Sequence, residues 1–226
     1  MAGCSDNVTS EISTVRSPGR IQFTGALERQ FENTGLVDIQ QLSDRFFVQL
    51  AYSDTSNFLH QDVYGRLDKC FLHKETATKL LVADSMLRTE FPQYHFLIYD
   101  GARPCNVQQV MYDIVKKMPV AQGLYLSHPM NHSLHNYGAA VDLTICDDKG
   151  IPLDMGTEFD HFGIESHIGA ENLLVTDKRI TKEASVNRKL LRRIMLRAKF
   201  TPITFEWWHF NSCSRGYAAA HYTLLQ

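Results

Sequence analysis

The sequence feature that most constrains the fold is a run of apolar residues at helical spacing near the middle of the chain. Five of them lie at positions i, i+3, i+4, i+7 and i+8: Val107, Val110, Met111, Ile114 and Val115. Asn106 precedes them as a candidate N-cap, and Met118 with Pro119 ends the pattern. A helix with one apolar face buries that face against another element, so the chain is expected to fold around a core.

Other segments predict a mixture of helices and strands. Helices are expected over residues 75–91 and 185–198, where apolar side chains again recur at helical spacing. Runs rich in aromatic and β-branched residues predict strands over residues 46–50, 95–99, 139–145 and 203–210. The chain shows no internal repeat and no low-complexity linker. We therefore expect one α+β domain over residues 36–226, preceded by a flexible N-terminal leader over residues 1–35.

Composition excludes several classes of protein. Hydrophobic residues make up 44% of the 226 residues and charged residues 21%, as in ordinary globular domains. The formal net charge is −2, so the basic excess of a typical nucleic-acid binder is missing. No apolar run reaches the roughly eighteen residues that a transmembrane helix needs. The helix over residues 185–198 carries a basic face that is expected to be solvated: Arg188, Lys189, Arg192, Arg193 and Arg197.

The five cysteines are scattered and contain no C-x-x-C pair, which argues against a cysteine zinc ribbon or a thioredoxin-like site. We expect them to be mostly reduced thiols, some of them buried. Residues 1–4 resemble the end of a bacterial lipoprotein signal, in which the cysteine is lipidated, but no charged and apolar stretch precedes Cys4. A lipid anchor at Cys4 and a chance match both remain open, and with them a periplasmic or a cytoplasmic location.

Ten histidines stand out in the composition, and His135 has the most informative neighbours. It precedes a glycine turn at Gly138, and Asp142 lies on the predicted strand that follows. If the chain reverses at Gly138, an imidazole nitrogen and a carboxylate oxygen converge, and both suit a divalent transition metal such as zinc. The spacing between His135 and Asp142 is by itself weak evidence for a metal site, and His132 is an alternative candidate ligand.

The segment from Glu206 to His209 supplies the other candidate groups. On a regular strand these two side chains would point to opposite faces, so they share a site only if the strand ends or bends between them. His209 would then complete three ligands with one position open, and Glu206 would be a candidate base. Glu206 could instead form an ordinary ion pair, and His209 could instead be a histidine of the core. Arg103 could stabilise an oxyanion or could form a salt bridge with Asp100.

Taken together, several segments resemble the zinc D-alanyl-D-alanine dipeptidases of the VanX type. The motifs are Ser-x-His-x-x-Gly-x-Ala-x-Asp at residues 133–142, Glu-Trp-Trp-His at 206–209, Asp-Gly-Ala-Arg-Pro at 100–104 and Met-Gly-Thr-Glu-Phe-Asp at 155–160. The wider group includes D,D-carboxypeptidases, L,D-endopeptidases and the hedgehog amino-terminal domain. The resemblance implies a hedgehog/D,D-peptidase-like α+β fold with a mainly antiparallel central sheet and flanking helices.

The resemblance also implies a role for each matching residue. One zinc ion per chain would be held by three ligands: His135, Asp142 and His209. Glu206 would be the catalytic base and Arg103 would stabilise the tetrahedral intermediate. The free amino group of the substrate would be held by Asp160, with help from Tyr52 and Ser133. The implied reaction is hydrolysis of D-alanyl-D-alanine, a small dipeptide of bacterial wall synthesis, to two D-alanines.

Two alternative functions remain open. A D,D-carboxypeptidase or another peptidoglycan peptidase of the same group would act on longer stems, and a zinc-stabilised binding module would not catalyse. The presence of both Glu206 and Arg103 counts against the binding module. Antibiotic resistance, wall recycling and scavenging of D-alanine are all compatible with the sequence, which leaves the oligomeric state open as well.

Overall fold

The centre of the fold is a five-stranded sheet, seen in a computed structural model that describes residues 25–65, 67–117 and 127–226. The strands in this part of the chain are β1 (Val37–Asp38), β2 (Phe46–Val48), β3 (Phe71–Leu72), β4 (His95–Asp100), β5 (Ala140–Cys146), β6 (Thr201–Pro202) and β7 (His209–Asn211). The order in the large sheet is β2-β4-β5-β7-β6. The pair β2–β4 is parallel and the other pairs are antiparallel, so the predicted α+β fold with a mainly antiparallel sheet is confirmed.

Six α-helices lie in the described part of the chain. They are α1 (Ala26–Asn33), α2 (Lys74–Glu90), α3 (Cys105–Val115), α4 (Glu171–Thr176), α5 (Lys182–Arg197) and α6 (Arg215–His221). Helices α2 and α5 pack against each other, and they contact β4 and β5 respectively. Strand β5 is buried along its whole length, as expected for the middle strand of a covered sheet. None of the described helices is long and apolar enough to cross a membrane.

The N-terminal boundary differs from the prediction. Helix α1 buries Leu27 and Phe31, and the Phe31 ring lies against Phe71 with 5.3 Å between ring centroids. Residues 26–33 therefore belong to the folded domain and not to a leader, because two apolar side chains one turn apart anchor them to the core. The earlier part of the predicted leader, including Cys4, lies outside the described residues. The four cysteines inside the described part of the chain are free.

Helix α3 confirms the apolar pattern but not its predicted cap. The N-cap position is Pro104, which makes no side-chain cap, and Asn106 lies in the first turn. Proline suits this position because it donates no N–H and its φ is already fixed. The helix ends at Val115, whereas Met118 and Pro119 lie outside the described residues.

The strand predicted over residues 203–210 is wrong for residues 203–208, and only His209 and Phe210 of this range lie in a strand, β7. Strand β6 ends at Pro202 and β7 begins at His209, with bends and turns between them. The two tryptophans explain the break, because both contact the segment over residues 155–160. The Trp207 Nε1–H donates to Thr157 Oγ1 at 2.8 Å, and the Trp208 ring lies 5.2 Å from that of Phe159. An extended backbone would send the two indoles to opposite faces.

The predicted exposure of Arg188 is also wrong, since this side chain is only 1% exposed. Its Nε donates to the carbonyl of Met155 at 2.5 Å and its Nη1 to the carbonyl of Glu165 at 2.6 Å. Its guanidinium also lies 5.7 Å from the Trp207 ring. The segment packed on α5 presents buried carbonyl groups that need donors, and apolar periodicity carries no signal for that need.

Candidate metal centre and active site

Three buried side chains form a cluster with the geometry of a metal site. The Nδ1 atom of His209 lies 2.9 Å from Asp142 Oδ1 and 3.2 Å from His135 Nε2. His135 Nε2 is 3.4 Å from Asp142 Oδ2. One ligand atom from each residue thus lies within 4.8 Å of the other two. The structure brings together the three residues that the resemblance implies as ligands.

Local structure explains how His135 reaches this position. It lies in a short 3-10 helix, Leu134–Tyr137, which begins at Ser133 and ends at Gly138 with φ 61°. A Cβ atom at Gly138 would lie 2.8 Å from the backbone nitrogen of His73, so a side chain would be strained and crowded there. The chain reversal that the sequence analysis required at Gly138 is present.

Strand pairing positions the other two ligands. Asp142 on β5 is the direct antiparallel partner of His209 on β7. Directly opposite residues on neighbouring strands carry their side chains on the same face of the sheet. The strand break before His209 lets Glu206 return to this face, and Glu206 Oε2 lies 3.8 Å from His209 Nδ1.

Hydrogen bonds on the far side of each imidazole select its tautomer. The Nδ1–H of His135 donates to the carbonyl of Gly101 at 2.7 Å, and the Nε2–H of His209 donates to Asn211 Oδ1 at 2.8 Å. His135 Nε2 and His209 Nδ1 are therefore left as lone-pair donors to a metal. Asn211 was missed by the sequence analysis, and the only signal for it was its place two residues after a candidate ligand.

The cluster fits a divalent metal on its own chemistry. Two imidazole lone pairs and the Asp142 carboxylate are all hydrogen-bond acceptors, and in these tautomers no hydrogen lies between them. Burial raises the pKa of Asp142, but positive charge at His135 and His209 lowers it well below its usual range, so a cation between these groups keeps the carboxylate ionised. Convergent acceptors with a negative charge need a cation, and two nitrogens with one oxygen suit zinc.

Glu206 is a carboxyl group beside the ligands, with 14% of its side chain exposed. Burial raises its pKa to about 8, against a smaller lowering by His209. A carboxyl group with its pKa near neutrality can both accept and release a proton at working pH.

Arg103 forms the salt bridge with Asp100 that the sequence analysis left open. Its Nε donates to Asp100 Oδ2 at 3.0 Å, its Nη2 donates to the same oxygen, and its Nη1 donates to Gln108 Oε1 at 2.9 Å. The Tyr64 hydroxyl donates to Asp100 at 2.6 Å. Arg103 is therefore held rigidly, and because it also lines the cavity described below, the salt bridge and an electrostatic role are compatible.

Asp160 has an unusual backbone conformation for a residue other than glycine, with φ 59°. Its Oδ2 accepts a hydrogen bond from the Tyr52 hydroxyl at 2.9 Å, and it forms no ion pair with any described residue. Burial raises the pKa of Asp160 well above its usual range, although the Tyr52 hydrogen bond opposes this. A partly buried carboxyl group without a cationic partner is suited to receive a cation from a ligand.

All eight residues singled out from the sequence line one cavity of about 150 Å³. They are Tyr52, Arg103, Ser133, His135, Asp142, Asp160, Glu206 and His209. The Ser133 hydroxyl accepts a hydrogen bond from the His135 backbone N–H at 3.3 Å, and its own proton remains available to a ligand. The rival ligand His132 lies outside the metal cluster, with its Nδ1 atom 3.8 Å from Cys105 Sγ.

The fold and this site define a peptidase with a candidate metal centre. A family model described as D-Ala-D-Ala dipeptidase, peptidase family M15, matches residues 32–225. The chain belongs to this family.

Three relatives carry the name D-alanyl-D-alanine dipeptidase. The protein from Escherichia coli (strain K12) is 31% identical over 194 residues, which cover 86% of this chain and 91% of the relative. The Synechocystis protein is 30% identical over 53% of this chain and 60% of its own length. The Enterococcus faecium protein is 27% identical over 70% of this chain and 82% of its own length.

Proposed function

We propose that this protein is a zinc-dependent dipeptidase that hydrolyses D-alanyl-D-alanine to two D-alanines, with one zinc ion per chain. The observation that carries the proposal is the shared cavity, in which the His135–Asp142–His209 cluster, Glu206 and Asp160 all face a volume of about 150 Å³. This volume lies below the roughly 300–1,000 Å³ of pockets for drug-sized ligands, so a small substrate is favoured. The names of the relatives support the same substrate.

His135, Asp142 and His209 would hold the metal ion. When bound, a zinc ion supplies Lewis-acid polarisation of a carbonyl group and makes water more acidic. Gly101 and Asn211 keep the two imidazoles in the tautomers that ligation requires.

Glu206 moves the proton in this proposal. Its carboxylate accepts a proton from the water that attacks the peptide carbonyl, and it then delivers that proton to the leaving nitrogen. Burial of Glu206, which raises its pKa to about 8, supports both halves of this role.

Arg103 stabilises the negative charge that develops on the carbonyl oxygen. Three of its N–H groups are used by Asp100 and Gln108, which leaves two of the five for the substrate. Because these contacts hold the guanidinium in place before substrate binds, little reorganisation is needed during the reaction.

Asp160 selects the substrate by its free amino group. The substrate ammonium would pair with the Asp160 carboxylate, assisted by the Tyr52 and Ser133 hydroxyls. A longer chain presents an uncharged amide nitrogen at that point, which would leave the partly buried carboxylate without a cationic partner.

The test compares D-alanyl-D-alanine with N-acetyl-D-alanyl-D-alanine by D-alanine release. The protein is expected to hydrolyse D-alanyl-D-alanine but not the N-acetylated dipeptide. Glu206→Gln is expected to lose this activity while its metal content stays unchanged. Preferred hydrolysis of the acetylated substrate would indicate a D,D-carboxypeptidase and contradict the proposal. Metal binding without hydrolysis of either substrate would indicate a binding module.

A further inference from the structure

The charges of the cavity leave one end of the proposed substrate without a partner. A dipeptide carries an ammonium group at one end and a carboxylate at the other, and the proposed function assigns only the ammonium, to Asp160. The arginines that line the cavity within the described part of the chain are Arg103 and Arg215.

Arg103 is poorly suited to the terminal carboxylate. Its charge is balanced by Asp100, which accepts from both Nε and Nη2, and the side chain is only 4% exposed. Gln108 Oε1 accepts a hydrogen bond from a further N–H of Arg103. The donors that remain are assigned to the reacting carbonyl group in the proposed mechanism.

Arg215 differs from Arg103 in its exposure and in its hydrogen bonding. It is the first residue of α6, its side chain is exposed, and it lines the cavity. Its guanidinium forms no hydrogen bond or ion pair with any other described residue, so all five of its N–H donors are available to a ligand. Its backbone is anchored, because Ser214 Oγ accepts from the Tyr217 backbone N–H at 3.2 Å and Ala218 is buried.

We infer that Arg215 binds the C-terminal carboxylate of the substrate and thereby makes the enzyme select a free C terminus as well as a free N terminus. The inference rests on the proposed function. Guanidinium and carboxylate groups match in geometry and form two parallel hydrogen bonds. The terminal carboxylate neither gains nor loses charge as the peptide bond breaks, so the contact is the same before and during the reaction, and it lowers KM and leaves kcat unchanged.

The experiment measures kcat and KM for D-alanyl-D-alanine and for D-alanyl-D-alaninamide, which has no carboxylate and releases one D-alanine per turnover. In Arg215→Gln, KM for the dipeptide is expected to rise about ten-fold with kcat unchanged, the size of one charged hydrogen-bonded contact. KM for the amide is expected to stay the same. Arg215→Lys should recover part of the loss, because it restores the charge without the planar fork.

Arg88→Gln is the matched control, because Arg88 is an exposed arginine outside the cavity. It should leave both substrates unaffected. Equal KM values for the dipeptide in the natural protein and in Arg215→Gln would overturn the inference while leaving the dipeptidase function in place. Absence of D-alanine release by the natural protein would overturn the proposed function, and the inference with it.

Discussion

Replacing the buried Arg188 with methionine tests whether this side chain holds the segment that carries Asp160. Methionine fills much of the same volume but donates nothing, so the carbonyls of Met155 and Glu165 lose their donors. Each unsatisfied buried group costs about 1–3 kcal/mol. Loss of the contact with the Trp207 ring adds about 0.5–1 kcal/mol. Relief from burying a charge offsets part of this, and we expect a net loss of about 3 kcal/mol in the free energy of unfolding.

Denaturant unfolding followed by tryptophan fluorescence measures the change, since Trp207 itself lies in the affected region. Arg193→Met is the matched control on the same helix, because Arg193 forms an exposed ion pair with Glu90 at 2.7 Å. That pair should contribute at most about 1 kcal/mol. If Arg188→Met were no more destabilising than Arg193→Met, the buried contacts of Arg188 would not stabilise the segment and the reasoning would be refuted.

Three further substitutions probe the site. Gly138→Ala should lower the free energy of unfolding by about 2 kcal/mol, because the left-handed φ and the 2.8 Å approach to the His73 nitrogen exclude a side chain; unchanged stability in denaturant would contradict this. Asn211→Leu should weaken zinc affinity about 10–100-fold, measured by competition with a chelating indicator, because His209 loses its Nε2 partner; an unaltered affinity would show that the hydrogen bond is dispensable. Asp160→Asn should raise KM for D-alanyl-D-alanine about ten-fold or more and reduce discrimination against the N-acetylated dipeptide; retained discrimination would remove Asp160 from amine recognition.

The elements with strong periodicity could be predicted from the sequence. Helices α2, α3 and α5 and strands β2, β4 and β5 lie close to their predicted ranges. Their apolar side chains face the core in a repeating pattern, and burial of that pattern decides the local structure. The stretch over residues 203–210 has the composition of a strand, but tertiary contacts of Trp207 and Trp208 with the 155–160 segment override that preference.

The candidate site was predictable only where a motif marked it. The cluster of His135, Asp142 and His209 depends on a turn at Gly138, which the motif at residues 133–142 indicates, and on the pairing of β5 with β7, which no sequence pattern predicted. Only the family resemblance joined His209 to the other two residues. Asn211 and Arg215 belong to no motif that the sequence analysis used. They lie near the site because Asn211 ends β7 and Arg215 begins α6. Buried polar contacts between distant segments produce no repeating pattern in a sequence, so they could not be predicted from it.

Zinc-dependent dipeptidase activity is tested most directly by D-alanine release from D-alanyl-D-alanine by the purified protein, measured before and after removal of metal with a chelator. Release is expected to stop on chelation and to return when one equivalent of zinc is restored, whereas His135→Ala, which lacks a ligand, should not recover. Undiminished release from protein that metal analysis shows to be free of metal would contradict a zinc-dependent mechanism.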